Sequence, residues 1–314
     1  QIQNIHHSLP NFLFHYKGEN KEINSIDDLF KEDGLVKNNL EKYELREKQI
    51  EFSKDIFEAL QSKHILIAEA GAGLGKSYAY LFSSLLYAKE TASQVVISTN
   101  THSLQNQLFK SDIPFVFKVL NQKFRVTIIK GVNNYLCLTR LEKLLKEIEN
   151  KINENEAMEL MALIVWIQHT KTGDISECNG FNRKYNNYLW SLINSRLENC
   201  LTYKCNKHAG CYYRSIKESA LESDVLIINH SMLISYQDKQ DLFIKNKAVC
   251  IIDECHNFHS ICQKQLSRQI NVKFLNEQKH NYISIIQNLE KNSLDKDLVL
   301  KGKSMIKNFE NSCK

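Results

Sequence analysis

The segment HILIAEAGAGLGKS, residues 64–77, carries three structural signals in direct succession. The run at 64–68 is short and rich in isoleucine, which is typical of a strand buried on both faces of a parallel sheet. Glycines follow at positions 71, 73 and 75, and a helical pattern begins at Lys76. A strand, a glycine-rich loop and a helix in this order predict a phosphate-binding P-loop and, with it, an α/β fold.

The loop has the chemistry that a nucleoside triphosphate requires. Glycines let backbone N–H groups turn towards phosphate oxygens, and the N-terminus of the following helix faces the same anion. Lys76 is placed to reach the β- and γ-phosphates of ATP, and the Ser77 hydroxyl to bind Mg²⁺. The strict G-x-x-x-x-G-K-[ST] pattern fails at its first position. The alternative is a glycine-rich turn without a ligand. The predicted ATP-binding loop comprises Ala70, Gly71, Ala72, Gly73, Leu74, Gly75, Lys76 and Ser77.

Four further short runs rich in valine and isoleucine predict more strands of the same sheet. Helical patterns lie between several of them, as at 76–89 and 101–110, so the sequence predicts a doubly wound α/β domain with a parallel sheet. The segment 138–170 interrupts this alternation and predicts one or two long helices, and 259–314 is helical in pattern. The four runs are 95–98, 126–130, 225–229 and 248–252.

An acidic pair ends the last of these strands, in the sequence Asp253-Glu254-Cys255-His256. An aspartate at the carboxyl end of a strand can hold Mg²⁺ opposite Ser77, and Glu254 can orient and deprotonate an attacking water. His256 is placed to sense the γ-phosphate and to link it to a neighbouring domain. Lys76, Asp253, Glu254 and His256 are therefore the candidate catalytic residues, and the alternative is a solvated turn. Cys255 is expected to be a small packed side chain.

Composition narrows the class of protein. Charged residues make up 25% and hydrophobic ones 43% of the 314 residues, which indicates a globular protein. No apolar run is long enough to span a bilayer and no signal peptide opens the chain, so a cytoplasmic protein without a membrane partner is expected. The net charge of +5 permits a nucleic-acid partner without indicating one. Nine cysteines in such a chain favour reduced thiols or metal ligation over disulfides.

Three of these cysteines, Cys200, Cys205 and Cys211, lie close together, and two four-ligand metal sites can be built on them. With His208 they match a Cys₃His zinc site. With Cys137 they form a Cys₄ set that joins the two ends of the helical segment, where a metal would clamp a long insertion. Free buried cysteines are the third possibility.

Several motifs resemble those of one helicase family. The P-loop followed by D-E-x-H resembles the order in superfamily 2 helicases, among which alanine is common at the position of Ala70. Five further segments are similar to motifs of the XPD/DinG family, most of all to its bacterial DinG branch. The resemblance covers about residues 40–260. These segments are Tyr43-x-x-Arg46-x-x-Gln49, 95–108 (VVISTNTHSLQNQL), 130–137 (KGVNNYLC), 211–214 (CYYR) and 224–230 (DVLIINH).

The resemblance implies a RecA-like first motor domain with an inserted, mainly helical iron–sulfur domain, followed by a helical arch. It implies ATP-driven 5′→3′ unwinding of single-stranded or forked DNA in repair or replication. The predicted divisions are an N-terminal extension at 1–40, the motor domain at 41–136 and 215–258, the iron–sulfur domain at 137–214 and the start of the arch at 259–314.

The resemblance also implies roles for individual residues. Arg46 and Gln49 lie near the adenine of ATP. The DNA backbone is contacted by Thr99, Asn100 and Thr101. A [4Fe–4S] cluster is bound by Cys137, Cys200, Cys205 and Cys211.

Two departures from the family pattern matter. The D-E-A-H box is D-E-C-H here, and no S-A-T-like or Q-x-x-G-R-like motif is found. The chain is therefore expected to be the N-terminal part of a helicase that needs a second RecA-like motor domain of the same full-length protein, and to be inactive in unwinding alone. A DNA-binding ATPase switch without unwinding, or a P-loop regulatory ATPase with structural zinc, are the alternatives.

A basic-aromatic group in the insertion has two interpretations as well. It is either a DNA contact or a half-packed surface helix, and Tyr212, Tyr213 and Arg214 are similarly ambiguous. The group comprises Arg183, Lys184, Tyr185, Tyr188 and Trp190.

Overall fold

The computed structural model divides into two compact units, Gln1–Cys262 and Gln263–Lys314. In the first unit a five-stranded sheet has the order β1-β3-β4-β2-β5. β3, β4, β2 and β5 are parallel, and β1 pairs antiparallel with β3 at one edge. The strands are β1 (Phe12–Leu13), β2 (Gln94–Thr99), β3 (Arg125–Ile128), β4 (Val225–Asn229) and β5 (Ala248–Ile252). The residues that the structure describes are 12–13, 25–31, 34–39, 44–71, 73–122, 124–147, 152–196, 210–235, 243–267, 279, 282–283, 285–287, 290 and 296–312.

Helices connect the strands and cover the sheet. They are α1 (Asp27–Phe30), α2 (Glu47–Gln61), α3 (Lys76–Thr91), α4 (His102–Gln107), α5 (Ile113–Leu120), α6 (Leu138–Lys146), α7 (Glu154–Ile167), α8 (Asn187–Ile193), α9 (Tyr212–Glu222), α10 (His230–Ser235), α11 (Phe258–Leu266) and α12 (Lys296–Ser312). A π-helical turn, Leu108–Asp112, joins α4 to α5. Parallel strands joined through helices confirm the predicted α/β class.

The main core lies where α2, α3 and α5 pack with the central strands. Residues 79–88 of α3 are all buried, which is why this helix has little amphipathic pattern. Leu81, Phe82, Ile97 and Phe117 are completely or almost completely shielded from solvent. Because α3 begins at the P-loop lysine, this core fixes the position of the loop as well as the fold.

The strand predicted at 64–68 does not form, and this prediction is wrong. Residues 64–70 follow α2 as irregular chain, with Ile65 93% and Ile67 85% exposed. An isolated extended segment lacks the hydrogen-bond ladder that makes a strand, and none of the described strands pairs with this one. β5 forms the sheet edge instead, with alternating residues exposed.

A second core holds the helical segment between β3 and β4 together. It packs α6, α7 and α8 with the first residue of α9, and Leu163, Leu189, Trp190 and Ile193 are fully buried in it. Two helices, α6 and α7, occupy the segment 138–170 in which one or two were predicted. Asn153 and Glu156 form a capping box that starts α7. The domain boundaries given above stay predictions.

In the second unit, Val299 of α12 is buried, Gly302 lies close to the Ile286 side chain, and Lys303 forms an ion pair with Glu290. Within the described part of the chain, no helix combines the length and the apolar character needed to cross a membrane.

A buried ion pair joins the second core to the sheet. Lys130, two residues after β3, pairs with Asp174 and donates to the Ser176 hydroxyl at 2.6 Å. The two paired side chains are only 6% and 10% exposed. Tyr135 forms a β-bridge with Asp174, and its hydroxyl accepts the backbone N–H of Lys130 at 3.0 Å. Charge and backbone thus hold the helical segment at one defined place beside the sheet.

We expect Lys130→Met to lower the free energy of unfolding by about 3 to 5 kcal/mol, because it leaves the Asp174 carboxylate buried and unpaired. Arg125→Met is the matched control, since it breaks the Arg125–Glu222 pair, whose side chains are 44% and 51% exposed. That change should cost about 1 kcal/mol or less. Urea denaturation followed by fluorescence measures both, and equal losses would contradict a structural role for the buried pair.

Candidate functional site

The phosphate loop precedes α3 and is shaped by its glycines. Gly75, the residue before α3, has φ +84°, in the left-handed region that favours glycine. A Cβ atom at Gly75 would collide with the side-chain amide of Gln49, so the position also depends on a close approach. The helix begins at Lys76, as the P-loop pattern predicts. Ala72 lies outside the described residues.

Arg46 and Gln49 contact the loop directly. Gln49 Nε2 donates to the Gly75 carbonyl at 3.0 Å, and Arg46 Nη1 donates to the Gly73 carbonyl. Both residues stand at the start of α2, which packs along α3. An open pocket of about 680 Å³ lies beside Arg46, Gly71 and Leu74, and this volume is within the range of small-molecule sites. The two residues assigned to the adenine thus lie against the phosphate loop.

The P-loop lysine meets the acidic pair. Lys76 Nζ lies 3.3 Å from Glu254 Oε1, and each side chain is 33% exposed. Asp253 directly follows β5, and Tyr80 Oη donates to its Oδ2 at 3.2 Å. Glu254 has φ +53°, a strained conformation for a residue with a side chain, of the kind that is concentrated at functional sites. Residues 178 positions apart in sequence therefore form one charged group.

The electrostatics of this group favour a cation. Burial raises the pKa of the Asp253 carboxyl, and the charge of Glu254 acts in the same direction, while the hydrogen bond from Tyr80 and the charge of Lys76 oppose it. Two neighbouring carboxylates that repel each other are stabilised by a divalent ion. Hydroxyl and carboxylate oxygens are the ligands that Mg²⁺ prefers, so Ser77 and Asp253 fit it chemically.

His256 lies at the exposed side of the group. Its Nδ1 is 3.3 Å from Glu254 Oε2, and its Nε2 is 2.8 Å from Asn257 Nδ2. With a side chain that is 68% exposed, it is accessible to a neighbouring domain. Cys255 is exposed, so the prediction that it is packed is wrong. The tight turn after Glu254 directs it outwards.

A buried contact that the sequence analysis missed links the acidic pair to the end of β2. The Asp253 N–H donates to the Ser98 carbonyl at 2.9 Å, and Ser98 Oγ lies 2.7 Å from His230 Nδ1. His230 is fully buried, and burial lowers its pKa, which favours the neutral ring. Its ring also packs edge-on against Phe258. The sequence signal that could have indicated this contact is a histidine placed directly after the strand at 225–229.

The residues assigned to DNA follow Ser98. Thr99 is fully buried, and its hydroxyl donates to the Thr101 carbonyl at 3.3 Å. Asn100 is half-buried and Thr101 is exposed, with the Thr101 hydroxyl accepting from Leu104 N–H to cap α4. Asn100 and Thr101 are thus accessible to a ligand at this edge of the sheet, whereas the side chain of Thr99 is not.

Two of the four proposed cluster ligands can be located. Cys137 immediately precedes α6 and Cys211 immediately precedes α9. Cys200, Cys205 and His208 lie outside the described residues, and among those that are described no three or more His, Cys, Asp and Glu side chains converge as metal ligands. Cys178 is buried in the second core, and this burial raises its pKa.

The backbone brings the surroundings of Cys137 and Cys211 together. Leu136 N–H donates to the Gly173 carbonyl at 2.9 Å, and Gly173 has φ +66° and packs so closely on the Tyr212 ring that a Cβ would collide with it. Cys137 N–H also donates to the Ile193 carbonyl at 2.8 Å. The residues next to both cysteines therefore contact the same glycine.

The basic-aromatic group divides into two parts. Trp190 is fully buried, and its Nε1 donates to the Asn133 carbonyl at 2.8 Å, so for this residue the half-packed helix is the correct interpretation. Arg183 donates to Asn134 Oδ1 at 2.6 Å. Tyr185 and Tyr188, 80% and 56% exposed, remain accessible beside Lys184. The spacing of aromatic residues alone did not show which of them face the core.

Comparison of the sequence with known proteins identifies its family. Residues 87–275 match the family model DEAD_2. The ATP-dependent DNA helicase YoaA of Haemophilus influenzae is 31% identical over 252 residues, which cover 79% of this chain and 38% of that protein. The 3'-5' exonuclease DinG of Staphylococcus epidermidis is 34% identical over 228 residues, which cover 72% of this chain and 24% of that protein.

A solved structure titled XPD_Helicase has 16% identity and a TM-score of 0.43, over 79% of this chain and 40% of that one. The chain spans well under half the length of the curated relatives it matches. Since the family model matches more than half of the chain, the chain belongs to the DEAD_2 family, and its predicted membership of the XPD/DinG-like helicases is confirmed.

Proposed function

We propose that this chain is the nucleotide-binding part of an ATP-dependent DNA helicase of the iron–sulfur type. The observation that carries the proposal is the ion pair of Lys76 with Glu254, next to Asp253, at the carboxyl end of β5. The relative from Haemophilus influenzae is named an ATP-dependent DNA helicase, which supports the same activity here. The proposed substrates are ATP and single-stranded or forked DNA, with 5′→3′ translocation in DNA repair or replication.

ATP binding replaces the contact between Lys76 and Glu254 with a contact between Lys76 and the phosphates. In the proposed sequence of events Lys76 leaves Glu254 and binds the β- and γ-phosphates, whose charge it matches better than a single carboxylate. Glu254 is then released to orient the attacking water and to accept its proton. Mg²⁺, when bound, neutralises charge on the phosphate oxygens, and Ser77 and Asp253 are the residues that would hold it.

Coupling to DNA uses the hydrogen bonds at the end of β2. A shift of Asp253 is transmitted to the Ser98 carbonyl, and from there to Asn100 and Thr101, which we propose contact the DNA backbone. Unwinding requires a second RecA-like motor domain of the same full-length protein, because translocation needs two DNA-gripping units that move relative to each other. His256, exposed beside Glu254, is the residue proposed to contact that domain.

A [4Fe–4S] cluster is the proposed metal centre, with Cys137, Cys200, Cys205 and Cys211 as ligands. The shared contact of Leu136 and Tyr212 with Gly173 supports a split site, because it holds the first and last cysteines near one point. Thiolates are the protein ligands of such clusters, and the cluster would tie the start of α6 to the start of α9.

We expect Glu254→Gln in the full-length protein to reduce the ATPase kcat by about 10²- to 10⁴-fold, since the general base is lost. Affinity for a fluorescent ATP analogue should be retained. Glu218→Gln is the control, because Glu218 is an exposed acid whose described partner is Arg214 on the same helix. Steady-state turnover and fluorescence titration measure the two quantities. An unchanged kcat would show that Glu254 is not the base.

The cluster is tested by purifying the full-length protein anaerobically. We expect brown protein with roughly four irons per chain, and colourless protein for Cys137→Ser. Cys178→Ser, which changes a cysteine packed in the second core, should keep its iron. Iron and zinc analysis with visible absorption decides the outcome. One equivalent of zinc in colourless wild-type protein would instead support the alternative site with His208.

A further inference from the structure

Tyr80 is a buried residue that no assigned role uses. It lies in α3 three positions after Ser77, so the two side chains share one face of the helix. Its relative exposure is 5%, and most of the ring packs in the main core. The hydroxyl reaches the end of β5, where it donates to Asp253 Oδ2 at 3.2 Å. Apolar packing alone would not require that hydroxyl.

Burial raises the pKa of Tyr80, and the Ser77 side chain acts in the opposite direction, as a donor to the Tyr80 oxygen does. A carboxylate can only accept hydrogen bonds, so the proton of Tyr80 is directed to Asp253. The Tyr80 oxygen is then free to accept the proton of the Ser77 hydroxyl, which lies three positions earlier on the same helix. The hydrogen bond to Asp253 and the helical spacing thus allow a directed chain from the Ser77 hydroxyl through the Tyr80 hydroxyl to the Asp253 carboxylate.

We propose that Tyr80 is a positioning residue for the Mg²⁺ of bound MgATP. By taking the Ser77 proton, it would leave the lone pairs of Ser77 Oγ available to the metal. By donating to Oδ2, it fixes the orientation of the Asp253 carboxylate. The proposal rests on the proposed function, since it requires that MgATP binds at this loop. Outer hydrogen bonds of this kind tune metal affinity because they orient the ligands.

The test is Tyr80→Phe in the full-length protein, which keeps the ring and removes only the hydroxyl. A fluorescent ATP analogue is titrated first in EDTA and then at increasing Mg²⁺. We expect nucleotide affinity in EDTA to stay within about twofold of wild type. The Mg²⁺ concentration for half-maximal enhancement of binding should rise by about 10- to 100-fold. Neither readout depends on turnover.

Tyr87→Phe is the matched control, because Tyr87 lies on the same helix and is 9% exposed. It should leave both titrations unchanged. Ser77→Ala should weaken the Mg²⁺ dependence, and adding Tyr80→Phe to it should cause a smaller further loss than Tyr80→Phe causes alone, because only the effect on Asp253 is left to lose. An additive loss, or an unchanged Mg²⁺ dependence in Tyr80→Phe, would overturn the proposal. Wild-type protein that binds no nucleotide under either condition would overturn the proposed function itself.

Discussion

The parallel alignment of β3, β4, β2 and β5 is the constraint on which the rest of the structure depends. Parallel strands end at one edge of a sheet, and ligands meet such sheets there. Pairing of Ser98 with Ile252, and of Thr99 with Asn229, sets the ends of three strands side by side. The acidic pair, the buried histidine and the residues proposed to contact DNA therefore lie within a few hydrogen bonds of one another, although they come from distant parts of the sequence.

Two ion pairs in this molecule show how burial separates a fixed contact from an exchangeable one. Lys130 and Asp174 are almost completely shielded from solvent, so breaking their pair leaves a buried charge without compensation. Lys76 and Glu254 are each one-third exposed, and solvent screening limits their attraction to about 1 kcal/mol. A triphosphate can displace such a weak contact, while the pair at the base of the helical segment stays in place. The burial of each pair matches the role proposed for it.

The sequence predicted those features whose signals are local. The strands at 225–229 and 248–252 and the start of α3 at Lys76 follow from short apolar runs and from a glycine loop. The run at 64–68 has the same pattern and yet forms no strand, because a strand also needs a paired neighbour that a local pattern cannot supply. The two interpretations of the group that contains Trp190 stayed open for a related reason, since aromatic spacing does not tell which residues face a core. The contacts of Tyr80 and His230 join distant segments, and only the fold shows them.

The second core limits how much a metal centre would add to the stability of the helical segment between β3 and β4. Leu163, Leu189, Trp190 and Ile193 are fully buried there, so apolar burial already holds these helices together. The ion pair of Lys130 and the β-bridge of Tyr135 to Asp174 already fix this segment beside the sheet. A cluster bound by Cys137 and Cys211 would then add a constraint at the starts of α6 and α9. Its structural contribution would be local and would lie where the helical segment begins after β3 and ends before β4. That position suits a centre that keeps the helical segment aligned with the sheet and with the proposed ATP site.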